Sequence, residues 1–424
     1  MTETNSTTNK GWRWLAIFGP GILVAATGVG AGDITAAGFS GSQLGTAVLW
    51  AVLVGAFFKF VMAEGLTRWQ LVTGTTLLEG MARHMGKWTG WLFFPYFILW
   101  TFFVSANLMG GCGVTMHAIL PVFESASHGK IVFGIISSIL GLILIERGGF
   151  HIFQRLMAVC IGIMSVTVIA SAILLAPDWG EIIKGLLIPS IPDAKEGGIA
   201  WTLALIGGVG STVTILCYGY WIAEVNRKGI AMLSLCRLDL AAGYLTITLF
   251  GIAMVIIGTT LDTTGSGADL IVEIGDTLEI SLGPIGRWAF LLGALGAVFS
   301  SILGVWQSVP YLFADILRLF FTSEKPSEST STDVLIDTKS LPYRSYLYAI
   351  ASIPMLGLFF QFKEVQKFYG VIGATFLPLL TVVLLVLNNK KRLLGNYTNK
   401  WPTVLILILI LLFFGWMAWS RWFG

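Results

Sequence analysis

The stretch FGPGILVAATGVGAGDITAAGFSGSQLG, residues 18–45, and its counterpart LALIGGVGSTVTILCYGYW, residues 203–221, decide the architecture. Each is apolar enough to cross a bilayer. Each is also broken near its middle by a glycine cluster, TGVGAGD at 27–33 and IGGVGST at 206–212. A glycine inside a helix costs about 1 kcal/mol relative to alanine, so a cluster marks a place where a helix stops and restarts. Small residues also let membrane helices pack closely, and either cluster alone has that ordinary explanation. Two clusters at matching places point instead to broken helices in a transporter built from inverted repeats.

Working outward, eleven apolar segments are long enough to be read as crossings: 14–41, 46–68, 91–116, 131–146, 153–175, 200–222, 238–260, 286–312, 346–360, 366–388 and 401–422. They are called segments 1 to 11 below. The interrupted ones, 1 and 6, open two groups of five. An odd number per group forces the two halves into opposite orientation. The expectation is an all-α integral membrane protein with one transmembrane domain. Repeat one spans 14–175, repeat two spans 200–388, and an extra helix covers 401–422. The Ser/Thr-rich run at 322–340 reads as a linker.

Composition agrees. The chain is 55% hydrophobic and 12% charged, with a mean hydropathy of +0.82, whereas soluble domains are about one quarter charged. The partner implied is therefore the lipid bilayer. A net charge of +3 spread over loops excludes nucleic acid. Cys112, Cys160, Cys217 and Cys236 lack paired spacing and read as reduced packing residues. No P-loop, HExxH or Gly-x-Ser-x-Gly motif is present, so neither an enzyme nor a cofactor is expected. The polar start MTETNSTTNKGW carries no cleavable signal, and segment 1 is read as a retained helix. Nothing specifies an oligomeric state.

Several strings in order and spacing resemble the Nramp family of divalent metal transporters. GPGILVA (19–25) and GSQLG (41–45) frame segment 1, and TRWQLVTG (67–74) closes segment 2. ERGGFHIFQRLMAV (146–159) joins segments 4 and 5, and PDWGEIIKGLLIPSIP (177–192) precedes segment 6. CRLDLAAG (236–243) opens segment 7, and KKRLLGNYTNKW (390–401) precedes segment 11. The resemblance implies a LeuT-type fold of inverted five-helix repeats, with a metal ion as cargo rather than cofactor. The site departs from the family pattern. Where the family has Asp-Pro-Gly-Asn in helix 1, this chain has Gly30, Ala31, Gly32 and Asp33. Where it has Ala-Thr-Val-Met-Pro-His in helix 6, this chain has Ser211, Thr212, Val213, Thr214, Ile215 and Leu216. Val104 and Asn107 replace the two acids of helix 3.

The residues themselves narrow the site. Asp33 is an acid at mid-membrane, which by default is functional and needs a partner. It is read as a cation ligand, with capping of the following helix as the alternative. Ser211 and Thr214, three apart, offer hydroxyl oxygens suited to hard cations, although such hydroxyls also bond their own backbone. Carbonyls near Gly30 and at Val209–Gly210 complete the candidate set. Accessory candidates are Asn107, Tyr218, the Glu64/Arg68 pair at (i, i+4) spacing, and Lys59. Lys59 either snorkels along lipid, the preferred reading, or faces Asp33 as a counter-charge. Pairing with Asp33 makes a divalent ion a less natural cargo. The expected function is secondary transport of a hard or borderline divalent cation such as Mg²⁺ or Mn²⁺ by alternating access. The alternative is a small amino-acid-like solute whose anionic group meets the glycine-lined helix ends.

Loop charge sets the expected orientation in the cytoplasmic membrane. With the N-terminus inside and the C-terminus outside, eighteen of the 26 Lys and Arg fall on the cytoplasmic side and seven on the other, with Lys59 inside segment 2. Single cysteines placed in a Cys-free variant test this in intact cells. An impermeant thiol reagent is expected to label positions in 262–280 and not in 325–340; the reverse pattern rejects the orientation.

Overall fold

The computed structural model describes residues 20–21, 24, 30, 32–147, 162, 165–175, 178–210, 212–261, 267–321 and 337–423. Among them the chain is helical throughout, with no strand. Segment 1 is described from the turn Gly32–Ala36 onward, continuing as Ala37–Leu44. Segment 2 is Leu49–Thr73, ended by Gly74 at φ +71°, whose N–H returns to the Gln70 carbonyl. Segments 3 and 4 are Trp88–Ile119 and Ala126–Arg147. Segment 5 is described only in part, at 162 and over 165–175.

Segment 6 is two pieces. Gly198–Gly208 is α-helical, Val213–Leu216 is a 3-10 turn, and Cys217–Glu224 is α-helical again. Segment 7 is Leu233–Gly258. Segment 8 lies in Leu270–Ile316, which bends at Gly283, φ +70°. Segment 9 is short, Leu341–Ser352 followed by the 3-10 stretch Ile353–Phe359. Segments 10 and 11 are Phe362–Asn388 and Trp401–Phe423. Eight described helices are long and apolar enough to cross a membrane. That is fewer than the eleven expected, because segment 9 divides into two short helices, segment 5 is only partly described, and segments 1 and 2 run together as 32–73.

Lipid cannot pull helices together as water does, so packing must come from close backbone approach and polar contacts. Segments 1 and 7 show the first device. A Cβ on Gly41 would lie 2.3 Å from the Val255 carbonyl oxygen, and one on Gly258 would lie 2.4 Å from that of Gly38. The second device appears where Gln70 donates to the Gly219 carbonyl at 2.7 Å, Asn388 to that of Gly65 at 2.8 Å, and Ser138 to that of Ala351 at 2.7 Å. Segment 11 sits at the rim. Leu407, Ile410, Phe414 and Met417 form one buried helical seam, while Leu405, Leu409, Leu412, Trp416 and Trp419 are exposed, as a lipid-facing helix requires.

The close approach of segments 1 and 7 is testable. Gly41→Ala forces the two backbones apart and should destabilise the protein by about 1–3 kcal/mol, the usual range for overpacking. Gly415→Ala, where a Cβ meets nothing within 4 Å, should leave stability unchanged. Thermal unfolding in detergent compares the two; equal melting temperatures would refute the packing argument.

Candidate functional site

The break in segment 6 meets the start of the continuously described part of segment 1. Segment 6 leaves the α-helix after Gly208: Val209 is extended at φ −71°, ψ 119°, and Gly210 takes φ +66°. Gly210 is the residue type that adopts this conformation without strain. The break frees carbonyls that an unbroken helix would have paired, at the end of Gly198–Gly208 where the helix dipole is negative. Gly32 of segment 1 lies against this point. A Cβ there would stand 2.7 Å from the Gly208 carbonyl oxygen and 3.1 Å from the Tyr369 ring.

Asp33 joins segment 1 to the break in segment 6. It is fully buried, and its Oδ1 accepts from the Gly210 N–H at 2.9 Å. Its Oδ2 has no hydrogen-bond partner in the described structure. The capping alternative is thus realised across the interface, on segment 6, and uses only one of the two oxygens. Lys59 comes from the facing side. Its position about ten residues into segment 2 puts it near 15 Å along the helix, close to mid-bilayer. The preferred snorkelling reading of Lys59 is wrong: the side chain is fully buried. Its Nζ donates to the Gly207 carbonyl at 3.3 Å and also to the carbonyls of Val209 and Gly210, and it lies within electrostatic range of Asp33. The reason is that the break supplies acceptors that lipid lacks.

Around this centre lie polar groups that sequence reasoning did not single out. Gln366 of segment 10 is fully buried; its Oε1 accepts from Thr35 Oγ1 at 2.6 Å, and its Nε2 has no partner in the described structure. Thr212 Oγ1 accepts from Trp100 Nε1 at 3.0 Å. A Cβ on Gly30 would meet Ser301 Oγ at 1.9 Å. An amide at the start of an apolar segment was the one available signal for Gln366. Of the expected residues, Ser211 lies outside those described. Thr214 is buried in the turn Val213–Leu216, one short turn past the break. Asn107 is buried, and neither of its amide atoms has a hydrogen-bond partner among the described residues.

Tyr218 and the Glu64/Arg68 pair serve other places. Glu64 binds Arg68 at 3.3 Å and also Arg237 at 2.6 Å, beside a cleft of about 500 Å³ that none of the break residues line. Tyr218 donates to Asp239 Oδ2 at 3.1 Å, an oxygen that also accepts from Arg227 at 2.7 Å and from the Gly21 N–H at 2.8 Å. Tyr220, two residues on, donates to Asp315 Oδ2 at 2.6 Å, and Asp315 also holds Arg318. Buried carboxylates therefore fasten the second half of segment 6 to segments 1, 7 and 8 at the basic end of the bundle. Among the described residues no cluster of three or more His, Cys, Asp or Glu has metal-binding geometry, so any cation held at the breaks would rest mainly on oxygen atoms of the backbone.

A bundle of apolar helices, one of them broken where it meets a buried carboxylate, is the architecture of a membrane transporter. The chain belongs to the Nramp family, described as natural resistance-associated macrophage protein-like, which it matches over residues 21–420. It is 24% identical to the divalent metal cation transporter MntH of Levilactobacillus brevis, over 96% of this chain and 90% of that protein. Identity to MntH of Chromohalobacter salexigens is 27% but covers 48% of this chain and 45% of that protein. A manganese transporter from Eremococcus coleocola, solved with an aromatic bis-isothiourea compound, superposes with a TM-score of 0.68 at 18% identity, over 97% of this chain and 88% of that one. MhsT bound to L-phenylalanine shares the fold more distantly, with a TM-score of 0.61 at 16% identity over 96% and 98%.

The Asp239 contacts make an expectation about closure. Removing one member of a buried ion pair costs about 3–5 kcal/mol. Asp239→Asn should free the second half of segment 6 and raise the rate at which Cys217, fully buried on that helix and kept as the sole cysteine, reacts with maleimide. Tyr218→Phe should act in the same direction but less strongly. An unchanged Cys217 rate in both would show that these contacts do not hold the bundle shut.

Proposed function

We propose that this protein is a secondary transporter carrying a divalent metal cation, hard or borderline in character, across the cytoplasmic membrane by alternating access. The observation that carries the reading is that the carbonyls of Gly207, Val209 and Gly210 hold a cation, the Lys59 ammonium, at one buried point within electrostatic range of Asp33. A point that holds an ammonium by carbonyl oxygens, with a carboxylate in electrostatic range, has the chemistry of a hard-cation site. The unpartnered Oδ2 of Asp33 is available as a ligand. The names of the relatives, divalent metal cation transporters, agree.

In this reading the chain crosses the membrane eleven times with its N-terminus inside. Repeats 14–175 and 200–388 rock about the breaks, and 401–422 is the added helix. In the same reading Ser211, Thr214 and the carbonyl near Gly30 contribute oxygen ligands as the ion moves. Thr214 stands where the family places a methionine, and loss of that sulfur removes the preference for soft ions.

Uptake into proteoliposomes tests the proposal. Mn²⁺ and Mg²⁺ are expected to compete better than Cd²⁺, and Asp33→Asn should lower uptake by roughly tenfold or more, about 1.4 kcal/mol of binding. A strong preference for Cd²⁺ would contradict the oxygen-ligand site. Uptake of an amino acid with no uptake of any divalent ion would replace this reading with the organic-solute one.

A further inference from the structure

Lys59 is the feature that the transport reading leaves unexplained. An ammonium has three N–H donors and no acceptor. At Lys59 three carbonyl oxygens, of Gly207, Val209 and Gly210, receive it. All three belong to the break in segment 6, and the same Gly210 donates its N–H to Asp33. The aliphatic stem is also fitted to its place: a Cβ on Gly210 would lie 3.9 Å from Lys59 Cδ. The charge is therefore neither a lipid anchor nor a surface pair. It is a cation on a four-carbon tether, delivered from segment 2 into the acceptors of segment 6.

We infer that Lys59 is a built-in competitor of the cargo, a tethered cation that fills the site and must be displaced before a metal ion binds. The inference rests on the cation-transport reading above. A divalent ion beside the ammonium would gather about +3 of charge around the single negative charge of Asp33. Among fully buried groups that arrangement is repelled far more strongly than in solution. Ion and ammonium therefore take turns. When the ion enters, Lys59 leaves the three carbonyls, and segment 2 loses its hold on the break in segment 6 while Gln70 still holds Gly219. When the ion departs, the ammonium returns to the carbonyls and balances the charge of Asp33 without any ion bound. The empty carrier is thereby spared a bare buried carboxylate, which is costly in a membrane. Lys59 also sets specificity, since a monovalent ion gains little by replacing an ammonium that carries the same charge and is already tethered in place.

Two substitutions of Lys59 in the full-length protein test this, with Mn²⁺ as the probe and binding read by calorimetry. Lys59→Ala removes the stem and the ammonium; Lys59→Gln keeps a donor and is the milder change for folding. Both are expected to bind Mn²⁺ at least tenfold more tightly than the wild type. A gain of affinity is not what structural damage produces. In Lys59→Ala the missing atoms correspond to n-propylammonium, which should weaken Mn²⁺ binding to that variant, leave the wild type unaffected, and be ineffective when replaced by n-propanol. Equal or weaker Mn²⁺ binding by both variants would overturn the tethered-competitor role while leaving the cation site standing. Absence of Mn²⁺ binding in the wild type and in both variants would overturn the role and the cation-transport reading together.

Discussion

Everything at the centre of this molecule depends on burying one carboxylate and one ammonium at mid-membrane without leaving either unpartnered. On insertion scales an isolated Asp or Lys near the middle of a membrane helix costs about 3 kcal/mol. Asp33 and Lys59 offset each other, but only because segment 6 is broken. A continuous helix would have used the carbonyls of Gly207, Val209 and Gly210 and the N–H of Gly210 internally. The break makes both ends of the peptide group available at one point, the carbonyls for Lys59 and the N–H for Asp33. Gly210 at φ +66° is what allows it.

That constraint propagates outward. Segment 1 must touch the break in segment 6, so Gly32 and Gly208 meet without side chains between them, and segments 1 and 7 approach through Gly41 and Gly258. The second half of segment 6 cannot be held by an α-helical ladder across the break. It is held from the side, through Tyr218 on Asp239 and Tyr220 on Asp315. These phenols lie two residues apart and so reach carboxylates on different neighbours. A helix fastened in this way is joined to its first half only through the break, and it can move when either set of contacts is released. This is the mechanical property that alternating access needs.

Much of this architecture was legible in the sequence. The break in segment 6 was visible because its glycine cluster recurs at a matching place in two apolar segments; most of the cluster in segment 1 lies outside the described residues. Asp33 was visible because a mid-membrane acid is rare. Lys59 was visible as an oddity but was assigned to lipid, since a single lysine in an apolar helix gives no direction and its acceptors are backbone atoms, which leave no trace in residue type. Gln366 and Thr212 went unread for a related reason: a lone amide or hydroxyl in a membrane helix usually bonds locally, and only the fold brings these two to Thr35 and Trp100. Segment 9 was read as one crossing, yet the run around Pro354 tightens into a 3-10 helix. Hydropathy reports that such a stretch is apolar and is blind to where its helix changes pitch.

The central claim is that the break between segments 1 and 6 is the place where a cation is bound. Anomalous diffraction from crystals grown with Mn²⁺ tests it most directly, because the metal reports its own position. The account predicts a single strong peak within coordination distance of Asp33 Oδ2 and the Val209 or Gly210 carbonyl, with the Lys59 side chain withdrawn from those carbonyls. A peak elsewhere in the bundle, with Lys59 still seated on Gly207, Val209 and Gly210, would contradict it.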